Sequence, residues 1–295
     1  MDDQKEIFQP GKRIGKFLIQ DVMFTTSHSI IYHVFDVHSR KRLVLKYYFK
    51  EKEAELLQMI QHPNILACIE TFHYKDRAFF TFPIAISDVF EFMQNRYRKG
   101  LPEDIAAKII FSILNAVEYL HSQNICHKDI RLEHFLILND NPDHFKVALI
   151  GFSKAERLIQ GEKSELNFTA PDIYTAPEML SKKPFDYSVD IWSLGISLFI
   201  MLSDMVPFPN YQIGSDEYYQ NILEGALDYN LLKNNGVSDN AIDLIQRMCK
   251  IEADQRIPAT DALNHPWILQ YDQPNVFEEI NPNDFMDDND NLDLI

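Results

Sequence analysis

Ten histidines and three cysteines are the side chains of this 295-residue chain best suited to hold a metal or exchange electrons. Their spacing argues against both roles. The nearest histidine groups, His28/His33/His38 and His127/His134, lack the ligand spacing of zinc sites, and Cys68, Cys126 and Cys249 form no CxxC pair. The histidines other than His127 read as ordinary surface or loop residues, and the cysteines as small core fillers in a reducing compartment. Phosphate chemistry meets a different obstacle. The chain has nine glycines, and none lies between Gly15 and Gly100. A glycine-rich loop whose bare backbone closes over phosphate has no place in that stretch. The aromatic run Phe79, Phe80 and Phe82 reads as strand core rather than as a binding platform.

The bulk composition narrows the classes further. Apolar residues make up 46% and charged residues 24%, as in soluble globular chains. The acidic N-terminus MDDQKEIFQP does not read as a secretory signal. The longest apolar stretch, 191–202, falls short of the ~20 residues of a membrane span. The net charge is −16, and half of it lies in residues 272–295, which hold eight acids and no Lys or Arg. Such a chain lacks the electrostatic footprint of a nucleic-acid or anionic-membrane binder. The expectation is an intracellular protein, cytoplasmic or cytoskeleton-associated, that takes protein partners.

The elements that must position any site fall into two parts. Residues 17–20, 30–35 and 43–48 are β-branched and aromatic runs separated by polar turns, and read as strands. Residues 51–60 read as a short helix with Leu56, Leu57, Met59 and Ile60 near one face, ended by His62-Pro63. Two more strands are expected at about 65–73 and 77–83. The composition then turns helical. Residues 103–121 carry an amphipathic stripe, and 188–203 is apolar nearly all round, which predicts a buried central helix. Further helices are expected at 215–232, 238–249 and 258–269. The tail, 272–295, alternates acids with scattered apolar residues and reads as flexible, or as a docking segment.

One set of motifs goes beyond pattern. His127-Lys128-Asp129-Ile130-Arg131-Leu132-Glu133-His134-Phe135-Leu136-Ile137 resembles the catalytic loop of eukaryotic protein kinases. Ala176-Pro177-Glu178, Asp190-Ile191-Trp192-Ser193-Leu194-Gly195, Arg256 and the Asn264-His265-Pro266-Trp267 end follow in that family's order. Val44-Leu45-Lys46 is similar to its third-strand lysine motif, and His62-Pro63-Asn64-Ile65 to the segment after its regulatory helix. The C-terminal half is most similar to the calcium/calmodulin-dependent Ser/Thr group. The resemblance implies an α+β bilobal fold over 15–271. A small antiparallel β-sheet lobe would run to about 85, and a larger, mainly helical lobe would cover about 86–271.

The resemblance also shows what is missing. Family members hold two Mg²⁺ ions through the Asp of an Asp-Phe-Gly motif and the Asn of the catalytic loop. Here the aligned residues are Leu149, in Leu149-Ile150-Gly151, and His134. Leucine offers no oxygen, and imidazole is a poor ligand for a hard cation. No metal site is expected. The family's three phosphate-loop glycines align with Phe24, Thr26 and Ser29, whose side chains obstruct close backbone approach. Val44 replaces the smaller residue usual beside adenine, and Phe82 aligns near the gatekeeper of the nucleotide pocket. Lys46 is kept. Counting back from His62 makes Glu53 its carboxylate partner, against the alternative that Glu53 is an exposed helix acid.

Asp129 stands at the catalytic-base position, where without metals a structural role is expected, and Arg131 takes the place of the loop lysine. Lys128 replaces the Arg that grips a phosphorylated activation segment, and lysine cannot supply the same bidentate fork. Pro171 falls at that segment's usual Thr, with Thr169 the nearest hydroxyl available for phosphorylation. The architectural residues Glu178, Arg256 and Asp190 are kept. The resemblance therefore implies a pseudokinase acting as a scaffold, binding or allosteric module, with an active kinase or a larger assembly as partner. No cofactor is expected, or ATP without magnesium. The alternatives are a weakly active Ser/Thr kinase and a metal-independent nucleotide sensor.

Overall fold

The computed structural model describes residues 7–25, 29–48, 51–75, 77–159, 163–164, 172–208 and 215–271. Thr26, Thr169, Pro171 and the acidic tail lie outside the described residues. The chain divides into two compact units that meet in sequence between Ala85 and Ile86.

Among the described residues, the first unit is a six-stranded antiparallel sheet with one short helix. The strands are β1 (Arg13–Ile14), β2 (Phe17–Thr25), β3 (Ser29–Asp36), β4 (Lys41–Tyr48), β5 (Glu70–Tyr74) and β6 (Arg77–Phe82), in the order β1-β2-β3-β4-β6-β5. One face is buried. Ile19, Ile30, Tyr32, Val34, Leu45 and Phe79 meet there, with Phe72 stacked on Phe17 and Phe79. Alternation at period two in β3 supplies Ile30, Tyr32 and Val34 to that face. The β3–β4 hairpin turns through Arg40 at φ +60°, and Asp36 closes it by accepting from the His38 and Ser39 amides. Only two residues separate the end of β4 from helix α1 (Glu51–Met59).

The second unit is mainly helical. It contains α2 (Val89–Arg96), α3 (Glu103–Ser122), α4 (Pro177–Leu180), α5 (Ser188–Ser203), α6 (Asp216–Glu224), α7 (Tyr229–Asn234), α8 (Asp239–Met248), α9 (Ala259–Leu263) and α10 (Pro266–Leu269). Among the described residues, five short strands accompany them. Strand β7 (Ser87–Asp88), β9 (Phe135–Asn139) and β10 (Lys146–Leu149) form one small sheet, and β8 (Ile125–Cys126) pairs with β11 (Glu156–Arg157). The hydrophobic helix α5 runs through the centre, with 14 of its 16 residues buried, and packs on α3 and α8. Gly195 is required inside it, because a Cβ there would sit 2.4 Å from Cys249 Sγ. Among the described residues no helix is long and apolar enough to cross a membrane.

Several expectations are corrected. The strand expected at 65–73 is only β5, because Ile65, Leu66 and their neighbours form a buried non-strand connection. Met59 is 63% exposed rather than on the buried face of α1, because the helix ends there and Ile60 turns inward instead. The helix expected at 215–232 breaks into α6 and α7 at Gly225, whose φ of +63° ends a helix. The helix expected at 258–269 breaks at His265, whose imidazole caps α10 ahead of Pro266. Helix α2 was not expected from the sequence. It begins at Asp88, whose carboxylate accepts from the Glu91 amide.

Candidate functional site

In the first unit the residues of interest converge on Lys46. Strand β4 carries it opposite Ile31 on β3 and Phe80 on β6. Its Nζ donates to Glu53 Oε1 at 3.0 Å and lies 4.4 Å from the centroid of the Tyr48 ring. Glu53 is buried in the first turn of α1. The step from β4 to α1 is so short that the pair closes across seven residues. Burial, then the Glu53 charge, raises the Tyr48 hydroxyl far above its ordinary value. Val44 pairs across strands with Phe82, which is buried. Phe24 is 62% exposed on β2, whereas Ser29 is buried at the start of β3. The structure thus brings Lys46 to Glu53, and sets Phe24 and Ser29 on β2 and β3 in opposite environments.

In the second unit the catalytic-loop segment is fixed from behind by Asp190 at the start of α5. Asp190 accepts from the backbone N–H of His127 (2.9 Å) and of Lys128 (2.8 Å), and from His121 Nε2 (3.0 Å). Burial pushes its carboxyl up, but His121 and the loop donors outweigh that and hold it below its usual value. Those bonds support Lys128 in a left-handed conformation, φ +63°. His127 is wholly buried. Its Nδ1 accepts from the Asp129 amide and its Nε2–H donates to Ile150 O at 3.0 Å, the neutral tautomer, and burial lowers its pKa to about 4.

Asp129 does not stand free. Its Oδ1 accepts from Lys154 Nζ at 2.8 Å, and its backbone oxygen accepts from His134 Nδ1 at 2.8 Å. The His134 ring fills the space over Gly151, where a Cβ would lie 2.4 Å from Nδ1, and Gly151 has φ +90°. The glycine is thus required twice, by its backbone angle and by the imidazole. It opens a single helical turn, Phe152–Lys154, which delivers Lys154 to Asp129. Leu149 is completely buried on β10, paired with Phe135.

Arg131 turns to other acids. It forks onto Glu133 at 2.7 and 3.0 Å, lies 3.6 Å from Asp172 and stacks near the Tyr174 ring. The Glu133 hydrogen bond raises the guanidinium pKa further. Lys128 Nζ donates to Glu156. Glu178 and Arg256, both buried, form a bidentate pair at 2.6 and 2.7 Å, with Arg256 also bonding Lys250, Ser188 and Ile251 carbonyls.

Sequence reasoning missed Lys154, Glu133, Asp172 and Glu156. Lys154 carried a faint signal, a lone cation in the small and apolar run Gly151-Phe152-Ser153-Lys154-Ala155. Magnesium does not fit what is present. One of its two expected ligand positions is a carbon side chain inside the core. The other is an imidazole whose Nδ1 is already bonded to the Asp129 carbonyl.

Comparison with known proteins agrees with the fold and the order of these motifs. Residues 28–268 match the protein kinase domain. A probable myosin light chain kinase of Dictyostelium discoideum is 31% identical over 220 residues, 74% of this chain and 55% of the relative. A calcium/calmodulin-dependent protein kinase type 1 of Macrobrachium nipponense is 31% identical over 221 residues, 74% of this chain and 61% of the relative. The chain thus spans little more than half the length of these curated relatives. The autoinhibited serine kinase domain of titin superposes with a TM-score of 0.74 at 28% identity, covering 86% of this chain and 80% of that one. A small antiparallel sheet, a helical unit around α5 and a matched domain across most of the sequence lead to one conclusion: the chain belongs to the protein kinase domain family, with relatives among the calcium/calmodulin-dependent and myosin light chain kinases.

Proposed function

We propose that this chain is a pseudokinase, a kinase-fold scaffold or allosteric module with little or no phosphotransfer. One observation carries the reading: both positions at which the family binds magnesium are closed, Leu149 inside the core and His134 bonded to the Asp129 carbonyl and seated on Gly151. Metal neutralisation of transferring phosphate contributes several kcal/mol, so its loss corresponds to at least roughly a 10³-fold drop in rate. The base position adds to this, because the Asp129 carboxylate is held by Lys154. Phosphotransfer from ATP with Mg²⁺ to a generic acceptor protein tests it. Wild type and Asp129→Asn should be equally inactive, and activity that Asp129→Asn abolishes would restore the weakly active Ser/Thr kinase reading.

A second reading, a metal-independent nucleotide sensor, is favoured by the intact Lys46–Glu53 pair. Thermal unfolding with millimolar ATP separates the two. A ligand at 100 times its dissociation constant stabilises by about 2.7 kcal/mol. A rise in midpoint without Mg²⁺ that Lys46→Ala removes would favour the sensor, and no rise favours the scaffold. The partner we propose is a protein, an active kinase or a larger assembly, rather than a nucleic acid or a membrane. The setting we propose is cytoplasmic or cytoskeletal, a reading that the similarity to myosin light chain kinases supports.

A further inference from the structure

The sheet of the first unit carries its charge unevenly. Residues 11–20 and 36–45, the β1–β2 and β3–β4 turns with the strand ends beside them, hold six Lys or Arg and one acid, Asp36. The Val37 amide donates to the Lys16 carbonyl at 3.0 Å and brings the two turns to one end of the sheet. Lys16 holds Asp36 at 3.1 Å and Glu70 at 2.6 Å. Six cations against these two acids leave that end positive, on a chain whose net charge is −16. The strand register orders part of this charge. Arg13 on β1 lies opposite Leu18 on β2, Leu18 opposite Phe35 on β3, and Phe35 opposite Arg42 on β4. Directly opposed residues share a face, so Arg13, Leu18, Phe35 and Arg42 form one row. The two arginines are exposed and the two apolar residues half-buried. The adjacent row, through Ile14 and Phe17, belongs to the opposite face, in the core. At about 4.8 Å between strands, the exposed row spans roughly 14 Å.

We propose that this row docks an extended acidic segment of a partner protein with the pattern acid-x-apolar-x-acid. In an extended chain, residues i, i+2 and i+4 point the same way, and i to i+4 spans about 13–14 Å. The two carboxylates then fall on Arg13 and Arg42, and the apolar side chain between them covers Leu18 and Phe35. Arginine suits both ends, since its planar fork takes a carboxylate through two hydrogen bonds. Lys12, Arg40 and Lys41 adjoin the row in sequence and add to the field that draws the segment in. Residues 86–271 hold sixteen Lys or Arg against twenty-six acids, so their charge turns such a segment away. The inference names the chemistry of the partner and rests on the reading of this chain as a binding module. Docking is measured without nucleotide, so its failure is distinct from the appearance of phosphotransfer.

Fluorescence anisotropy of a labelled Gly-Asp-Thr-Val-Thr-Asp-Gly peptide, titrated with the full chain at low ionic strength, tests it. Binding should weaken at least about tenfold with Arg13→Glu or Arg42→Glu, and with a peptide whose second Asp is moved one place closer to the first. Arg13→Ala and Arg42→Ala should also weaken it at an unchanged thermal midpoint, which separates docking from folding. Absence of binding, or equal binding of the shifted peptide, would overturn the proposal. Equal affinity for the thymidine trinucleotide, which carries the same two negative charges, would replace it with a general anion surface. The tail of this chain carries the pattern once, at Asp284-x-Met286-x-Asp288. Peptide binding that tightens tenfold in the full-length D284N/D288N variant would make the tail the occupant and sink the partner reading.

Discussion

Gly151 and His134 illustrate how one residue fixes the type of another. The imidazole sits where any Cβ on residue 151 would go, and φ of +90° disfavours a side chain there in any case. Gly151→Ala should therefore cost about 2–3 kcal/mol in urea unfolding. In a His134→Asn background the cost should fall, leaving the backbone term alone; equal costs in both backgrounds would show that the imidazole is not the obstacle. His127 predicts a pH dependence. Its folded pKa, about 4, lies below its ordinary 6.5, so the unfolded state binds more protons in that window. Stability is then full above pH ~6.5 and falls as the pH drops towards ~4, by up to about 3 kcal/mol from this residue. His62, also lowered to about 4 by burial, acts in the same direction. Unfolding free energies that stay constant from pH 7 to 5 would contradict this.

The element scale shows what the sequence could and could not reveal. The long strands and α5 are legible because burial writes its period into residue type: alternation in β3, apolar residues all round in α5. Leu149 at a position where the family carries a metal ligand is legible for a similar reason, since leucine lacks oxygen wherever it lies. The charge pairings around the catalytic-loop segment are not. Asp129 meets Lys154 across 25 residues and Lys128 meets Glu156 across 28, and both depend on the path of β10, β11 and the single turn between them. Composition does not encode such a path. Helix α2 escaped notice because it is only eight residues long and buries just Val89, Phe92 and Met93. Helix α1 yields a prediction at this scale. With Lys46 held at its first turn, Glu53→Ala should remove about 1.5–3 kcal/mol and raise hydrogen exchange selectively at residues 55–59. Uniform exchange changes across the sheet would instead make Glu53 a general core residue.

At the scale of the whole molecule, Arg256 ties distant parts of the helical unit together. It joins Glu178 at α4 to the Ser188 carbonyl that begins α5 and to the loop at Lys250 and Ile251, under the Trp192 ring. Arg256→Ala leaves a buried carboxylate unpaired and should cost about 3–5 kcal/mol in chemical denaturation. Arg256→Lys should recover little, because one ammonium cannot serve both carboxylate oxygens and three carbonyls; full recovery would show that charge alone suffices. The burial of Leu149 reaches beyond the present molecule, into the routes by which its descendants could change. Replacing it with aspartate would set a charge against Phe135 in the dry interior of β10 before any cation is there to receive it. His134 would meanwhile still bar its side. Replacing Leu149 alone therefore lowers stability without opening a place for a cation. Packing thus holds carbon in this space, as a pawl holds a ratchet.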